Sequence, residues 1–398
     1  MARNFAAELQ SARDTTDQLF ALLAPGALYD RPIPERHRLI FYLGHLEAFD
    51  WNLIGRTTLD VPSFHPTFDR LFAFGIDPEP GKQPADIPSD WPSTSEVAAY
   101  NSRTRQTIDG LLDQIPPQIA QVAIEHRLMH AETFAYLMHN LPYTSKLAEP
   151  EKPISTGHQI SAKWIGIPAG QATLGRGRNQ FGWDNEFDEH TVDVPAVEIS
   201  KYKITNGDYL SFVQEGAEVP HVWTRAGGQW LYRGMFEAFP LPMDWPVFVT
   251  HEQATAYAKW AGHTLPTEAQ FHRAAYADDS DEREFPWGKN LAGITAPVFD
   301  FARWDPVPVN ATPETDCAAG VSQLVGNGWE WTSTLFSPFP GFEPFAFYLG
   351  YSRDFFDGAH YVVKGASQRT AGRLLRRSFR NWFRTNYPYI YGTFRLVQ

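Results

Sequence analysis

The sequence predicts a multidomain chain of mixed class, an α-helical bundle followed by an α+β domain. Two observations carry this reading. The chain has 398 residues, more than one ordinary core accommodates. The spacing of its apolar residues also changes near residue 150, from a helical period to short β-like runs set between Gly, Pro and Asn turns. At 43% hydrophobic and 20% charged, the composition is that of an ordinary globular protein.

In the first part, Phe5, Leu9, Ala12, Leu19, Leu22 and Leu23 recur near helical spacing, and Pro25 and Gly26 end the run. A second helix is expected over 36–56, with Leu39, Leu43, Leu46, Phe49 and Leu53 on one side. Residues 60–92, rich in Pro and Gly, read as a long connection. A third helix runs over 94–115, capped by Ser93 or Thr94 with Glu96 close behind. Pro116 and Pro117 open a fourth that reaches about Asn140, because Pro is tolerated in a first turn. Four such helices form an up-and-down bundle over residues 1–148. Residues 149–160 read as a linker and 161–398 as a loop-rich α+β domain. In that domain 164–167, 191–194 and 361–364 look like strands, and only 253–261 and 268–276 look like good helices.

Composition narrows the function. A net charge of −12 with no basic face argues against nucleic acid as a partner, while leaving room for a small anionic or zwitterionic substrate. The single cysteine, Cys317, excludes a disulfide framework and any cysteine-rich metal site. No apolar run reaches 18 residues, so no membrane span is expected. Charges at Arg3, Glu8, Arg13 and Asp14 break what would be the apolar core of a signal peptide, and a cytoplasmic location is expected. The aromatic load of 13 Trp, 16 Tyr and 29 Phe is core filler first and ligand wall second.

Among the histidines, His126 and His130 stand four apart within EHRLMHAETF. On a helix this spacing leaves them about 40° apart and one turn removed, so both imidazoles can reach one ion. Glu132 lies about 200° around from His130 and His139 about 220° from His126, which makes both poor ligands. Glu132 is better read as a hydrogen-bond acceptor within the bundle. His45 sits mid-helix among apolar residues, where an imidazole without a partner is costly to bury. Three histidines from two helices make a metal site with open positions, and all-imidazole ligation suits Zn, Cu or Fe.

These histidines and a set of motifs in the second half together resemble the ergothioneine-type sulfoxide synthase family. The motifs are WDNEFDEH (183–190), ITNGDYLSFV (204–213), AGHTLPTEAQF (261–271), PWG (286–288), GNGWEWT (326–332) and GTFRL (392–396). That family joins a DinB-like four-helix bundle to a formylglycine-generating-enzyme-like (C-type-lectin-like) domain. The resemblance implies that His45, His126 and His130 hold Fe(II). It implies hercynine (N-alpha-trimethylhistidine) as acceptor, dioxygen as oxidant, and bond formation at imidazole C2. The family pattern Y-x-x-Y-S before F-F-x-G matches Tyr348-Leu-Gly-Tyr351-Ser352 and Phe355-Phe356-Asp357-Gly358. By that match Tyr348 is the proton donor and Tyr351 shapes the substrate pocket, which Asn381 and Trp382 also line. Trp329, Glu330 and Trp331 are read as structural.

The donor is read from departures. Relatives that take cysteine or gamma-glutamylcysteine place charges just after the Arg-Asn-aromatic run, where this chain has Phe383 and Pro388. Met129 stands where some relatives have Gln. These changes resemble the selenoneine synthase branch, which takes a selenosugar. An ergothioneine- or ovothiol-type synthase with a cysteine-derived donor is the alternative. A non-catalytic lectin-like binding module and a zinc-dependent thiol transferase are the rivals from other classes; the first has no need of three histidines, and the second leaves the large second domain unexplained.

Overall fold

The computed structural model describes residues 4–76, 82–148, 150–278, 281–291, 294 and 298–398. Arg3, Glu149 at the head of the expected linker, and 77–81 of the expected connection lie outside the described residues. The chain divides into two compact units, Met1–Glu149 and Pro150–Gln398.

The first unit is helical: α1 (Phe5–Ala21), α2 (Leu39–Asp50), α3 (Pro66–Phe74), α4 (Thr94–Asp109) and α5 (Pro117–His139). Each start has a local cause. The Asn4 side chain accepts from the Ala7 amide at 3.2 Å. At α4, Ser93 and Glu96 form a reciprocal capping box. Pro117 occupies the first turn of α5, where no amide hydrogen bond is lost. Beyond Asp50, α2 continues as a π-helical segment, Trp51–Thr58. α5 is buried on nearly all sides and packs against α1 and α2, while α2 also meets α3 and α4.

The sequence reading needs one correction here. The stretch 60–92 is not all connection, because α3 forms inside it. Its nine residues, PTFDRLFAF, start on a first-turn proline, and the His65 imidazole accepts from the Phe68 amide at 3.2 Å. Flanking prolines and the short length hid the amphipathic pattern.

The second unit contains β1 (Trp164–Ile167), β2 (Gly170–Leu174), β3 (His190–Val194), β4 (Val197–Ser200), α6 (Asn206–Gln214), β5 (Trp223–Ala226), β6 (Gln229–Arg233), β7 (Ala238–Pro240), α7 (His251–Trp260), α8 (Glu268–Tyr276), β8 (Gly328–Leu335), β9 (His360–Ala366), β10 (Asn381–Arg384) and β11 (Gly392–Thr393). α6 was not expected; its boxed cap, Thr205 with Asp208, starts a helix too short to show clear periodicity. The central sheet has the order β10-β9-β8-β11, antiparallel except for the β11–β8 pair. The remaining strands form small antiparallel ribbons, β1 with β4, β2 with β3, and β5-β6-β7.

The GNGWEWT motif builds the heart of this unit. Trp331 is fully buried and donates Nε1–H to the Val249 carbonyl at 2.9 Å. Glu330 is equally buried and accepts from Lys203 Nζ at 2.6 Å and from Arg395 Nε and Nη2 at 2.6 and 2.7 Å. Those two cations hold its carboxyl below the usual carboxylate range. Cys317 is a buried thiol beside Phe271, Tyr276 and Val321. Among the described residues no helix is long and apolar enough to cross a membrane. Replacing Glu330→Ala strands two buried cations; we expect a loss of about 3–5 kcal/mol, read as an earlier urea unfolding midpoint.

Candidate functional site

α2 and α5 bring three histidines together. One ligand nitrogen each from His45, His126 and His130 lie within 4.8 Å of one another. The ring centroids are 5.3 Å apart for His45–His126, 4.8 Å for His45–His130 and 4.5 Å for His126–His130. Neither Glu132 nor His139 belongs to the cluster, although both are buried.

The rings are held by aromatic and backbone contacts that the sequence reading missed. His45 Nδ1 is 2.7 Å from the carbonyl of Phe72 on α3. A carbonyl only accepts, so Nδ1 carries the proton and Nε2 keeps its lone pair for a metal. This contact depends on Gly44, because a Cβ there would come within 2.4 Å of the Phe72 ring. Phe41 stacks on His45, with centroids 4.9 Å apart at 25°. Phe49 lies nearly parallel to His126, with centroids 3.4 Å apart at 9°. Phe41, His45 and Phe49 are successive i, i+4 positions of α2, a spacing that is visible in the sequence.

Burial keeps the cluster neutral. It lowers His45 to about 4 and pushes His126 and His130 well below the usual imidazole range, and neighbouring imidazoles and the Arg127 charge add to the effect. Three neutral imidazoles, with one ring nitrogen of each within 4.8 Å of the others, are a donor set that fits a divalent transition metal. Met129 is half-buried on the turn between His126 and His130.

In the second unit, Tyr348 and Tyr351 gather around Trp183, and Trp382 joins them through Tyr351. Tyr351 stacks on Trp183 at 4.0 Å, Tyr348 lies 5.5 Å from Tyr351, and Trp382 meets Tyr351 edge-on at 5.4 Å. Trp382 also stacks on Phe336 at 4.1 Å. The loop carrying both tyrosines is tied down by Ser352, which donates to the buried Asp184 carboxylate and accepts from Asn185 Nδ2 at 2.9 Å. Burial, and secondarily the Asp184 charge, push the Tyr348 hydroxyl up to about 12, so the phenol keeps its proton at neutral pH.

Phe383 is not brought into this cluster. It follows Trp382 on β10, and successive strand residues point to opposite faces. Its ring pairs instead with Tyr387 at 5.9 Å, which in turn meets Tyr389 at 5.1 Å. Asn381 turns back on its own strand, its Oδ1 accepting from the Trp382 amide at 2.9 Å. Gly44→Ala should force Phe72 away from α2. We expect a destabilisation of about 1–3 kcal/mol in urea melts and weaker metal binding in a titration of the purified protein.

Two family descriptions match the chain: the sulfatase-modifying factor enzyme 1-like domain over residues 151–398 and the DinB superfamily over residues 8–139. The hercynine oxygenase of Mycolicibacterium smegmatis is 31% identical over 324 residues, covering 74% of this chain and 74% of that protein. Ergothioneine biosynthesis protein 1 of Neurospora crassa is 26% identical over 488 residues, covering 95% of this chain and 55% of that protein. The protein of the same description from Schizosaccharomyces pombe is 27% identical over 434 residues, covering 95% of this chain and 54% of that protein. The chain thus spans about half the length of its two fungal relatives. With a family match across its whole second unit and a relative of this identity and coverage, the chain belongs to the family that includes the hercynine oxygenases and the ergothioneine biosynthesis proteins.

Proposed function

We propose that this protein is an Fe(II)- and dioxygen-dependent oxidoreductase that joins a chalcogen to imidazole C2 of hercynine. The observation that carries the reading is the convergence of three neutral imidazole nitrogens within 4.8 Å. His45, His126 and His130 would hold the ion, which would supply a redox-active centre for reaction with dioxygen. The family membership, with relatives named as hercynine oxygenases, supports hercynine as the acceptor.

The chain's own residues then have distinct tasks. Tyr348 holds a proton on its hydroxyl oxygen at neutral pH and can give it up during oxygen reduction. A trimethylammonium group cannot donate hydrogen bonds, so aromatic faces are its natural receptor, and Tyr351 and Trp382 provide them. Asn381, on the Phe383 side of β10, is the other position matched to the family's acceptor pocket, and its amide nitrogen can donate to an acceptor carboxylate.

For the donor we favour a selenosugar, which makes the product a selenoneine-type conjugate. The support is the uncharged character of the positions that would clamp an amino acid. The Phe383 ring stacks with Tyr387, which in turn meets Tyr389, and Met129 is apolar. A sugar ring stacks on such a surface, and a selenolate, softer and more acidic than a thiolate, binds iron readily at neutral pH. A second reading, sulfur transfer from cysteine or gamma-glutamylcysteine, is favoured by the names of the relatives.

Anaerobic loading with Fe(II), then air with hercynine and one donor at a time (selenoglucose, thioglucose, cysteine or gamma-glutamylcysteine), decides between them by product mass. A selenoglucose-only product supports the first reading, and a product from either amino-acid thiol alone overturns it. Replacing His126→Ala or His130→Ala should reduce iron content to background and abolish turnover; full activity in both variants removes the metal assignment. Tyr348→Phe should leave hercynine binding intact while slowing bond formation at least tenfold or diverting oxygen to donor oxidation. An unchanged rate and product profile removes its role as acid.

A further inference from the structure

The bundle also buries an ion network that the proposed chemistry does not use. Arg127, fully buried and next to His126 on α5, donates from Nη1 and Nη2 to the two carboxylate oxygens of Glu47 at 3.0 and 2.9 Å. Its Nη2 also reaches Asp50 Oδ2 at 2.7 Å and the Leu46 carbonyl at 3.1 Å, and Nη1 approaches Thr16 Oγ1 at 3.5 Å. Glu47 takes a further hydrogen bond from Arg105 Nε at 2.8 Å. Arg105 grips Asp17 at 2.6 and 2.7 Å, and Arg13 binds Asp109 at 2.6 Å. The network therefore links α1, α2, α4 and α5.

A buried ion cluster of this kind is a weak source of stability, because desolvation offsets most of the attraction. Its best-attested use is to fix register. The location is informative. Leu46 and Glu47 directly follow His45, and Arg127 directly follows His126, so along each helix axis the clamp sits within about 3 Å of a metal-site histidine. A forked guanidinium on a carboxylate constrains distance and orientation together, which an aliphatic contact at the same place does not.

We infer that the Arg127–Glu47–Asp50 cluster is the positioning element that sets the spacing of His45 against His126 and His130, and thereby the metal affinity of the site. This rests on the reading of the three histidines as a metal centre.

The test titrates the purified full chain with Co(II), whose visible bands report coordination geometry, alongside circular dichroism and thermal unfolding. Arg127→Met should weaken Co(II) binding about tenfold or more and alter the bands. Arg127→Lys, which keeps the charge but loses the fork, should fall between that variant and the wild type. Glu47→Gln, isosteric and still an acceptor, is the variant of choice if Arg127→Met does not fold, and it should weaken binding severalfold. Asp109→Asn, at the outer end of the network, should lower the melting temperature without moving affinity or spectrum. Folded Arg127→Met or Glu47→Gln protein that binds Co(II) with wild-type affinity and bands overturns the inference. A wild-type chain that binds no Co(II) overturns the metal reading itself, and this inference with it.

Discussion

The constraint on which the first unit is organised is the desolvation of three imidazoles that stay uncharged while sharing one point. A histidine placed among leucines and phenylalanines loses hydration, and the proton is the first thing it gives up. Once neutral, each ring needs something other than solvent to set its direction. The bundle supplies a backbone acceptor for His45 and flat hydrocarbon faces for His45 and His126. Placing those supports requires α3 close to α2, which explains a glycine at position 44 in a helix otherwise filled with large side chains.

The second unit solves a different problem, the presentation of aromatic faces on a scaffold with little regular structure. Its rigidity comes from buried carboxylates paired with buried or half-buried cations. Glu330 joins Lys203 and Arg395, Glu186 joins Arg376 and Ser378, and Glu268 accepts from Arg380. Such clusters tie distant loops together without long helices. They leave Tyr348 and Tyr351 on a turn whose position is fixed by Asp184 and Ser352, more than 160 residues apart in sequence.

The sequence carried part of this in readable form. The i, i+4 spacing of His126 and His130 fixes a shared helix face before any coordinates are seen, and the motif set around WDNEFDEH and GNGWEWT marks the second unit. The contact that orients His45 was not readable, because its acceptor is a main-chain oxygen of a nine-residue helix, and carbonyls leave no signature in a residue list. The partition of Trp382 from Phe383 follows from the two-residue period of a strand. From the sequence no strand is expected there, because β10 is only four residues long. The Arg127 network was equally hidden: its members are spread over four helices, and bonded partners stand up to 111 positions apart.

The ring supports on α2 have a consequence for how the centre would be loaded. The Phe72 carbonyl and the faces of Phe41 and Phe49 set the directions of His45 and His126 through contacts that the chain itself supplies. In small metal-nucleated domains, by contrast, binding energy is spent on ordering the chain and a chelator unfolds the protein. Where the ring supports are protein groups, ordering of the chain draws on packing and hydrogen bonding and not on ligand binding.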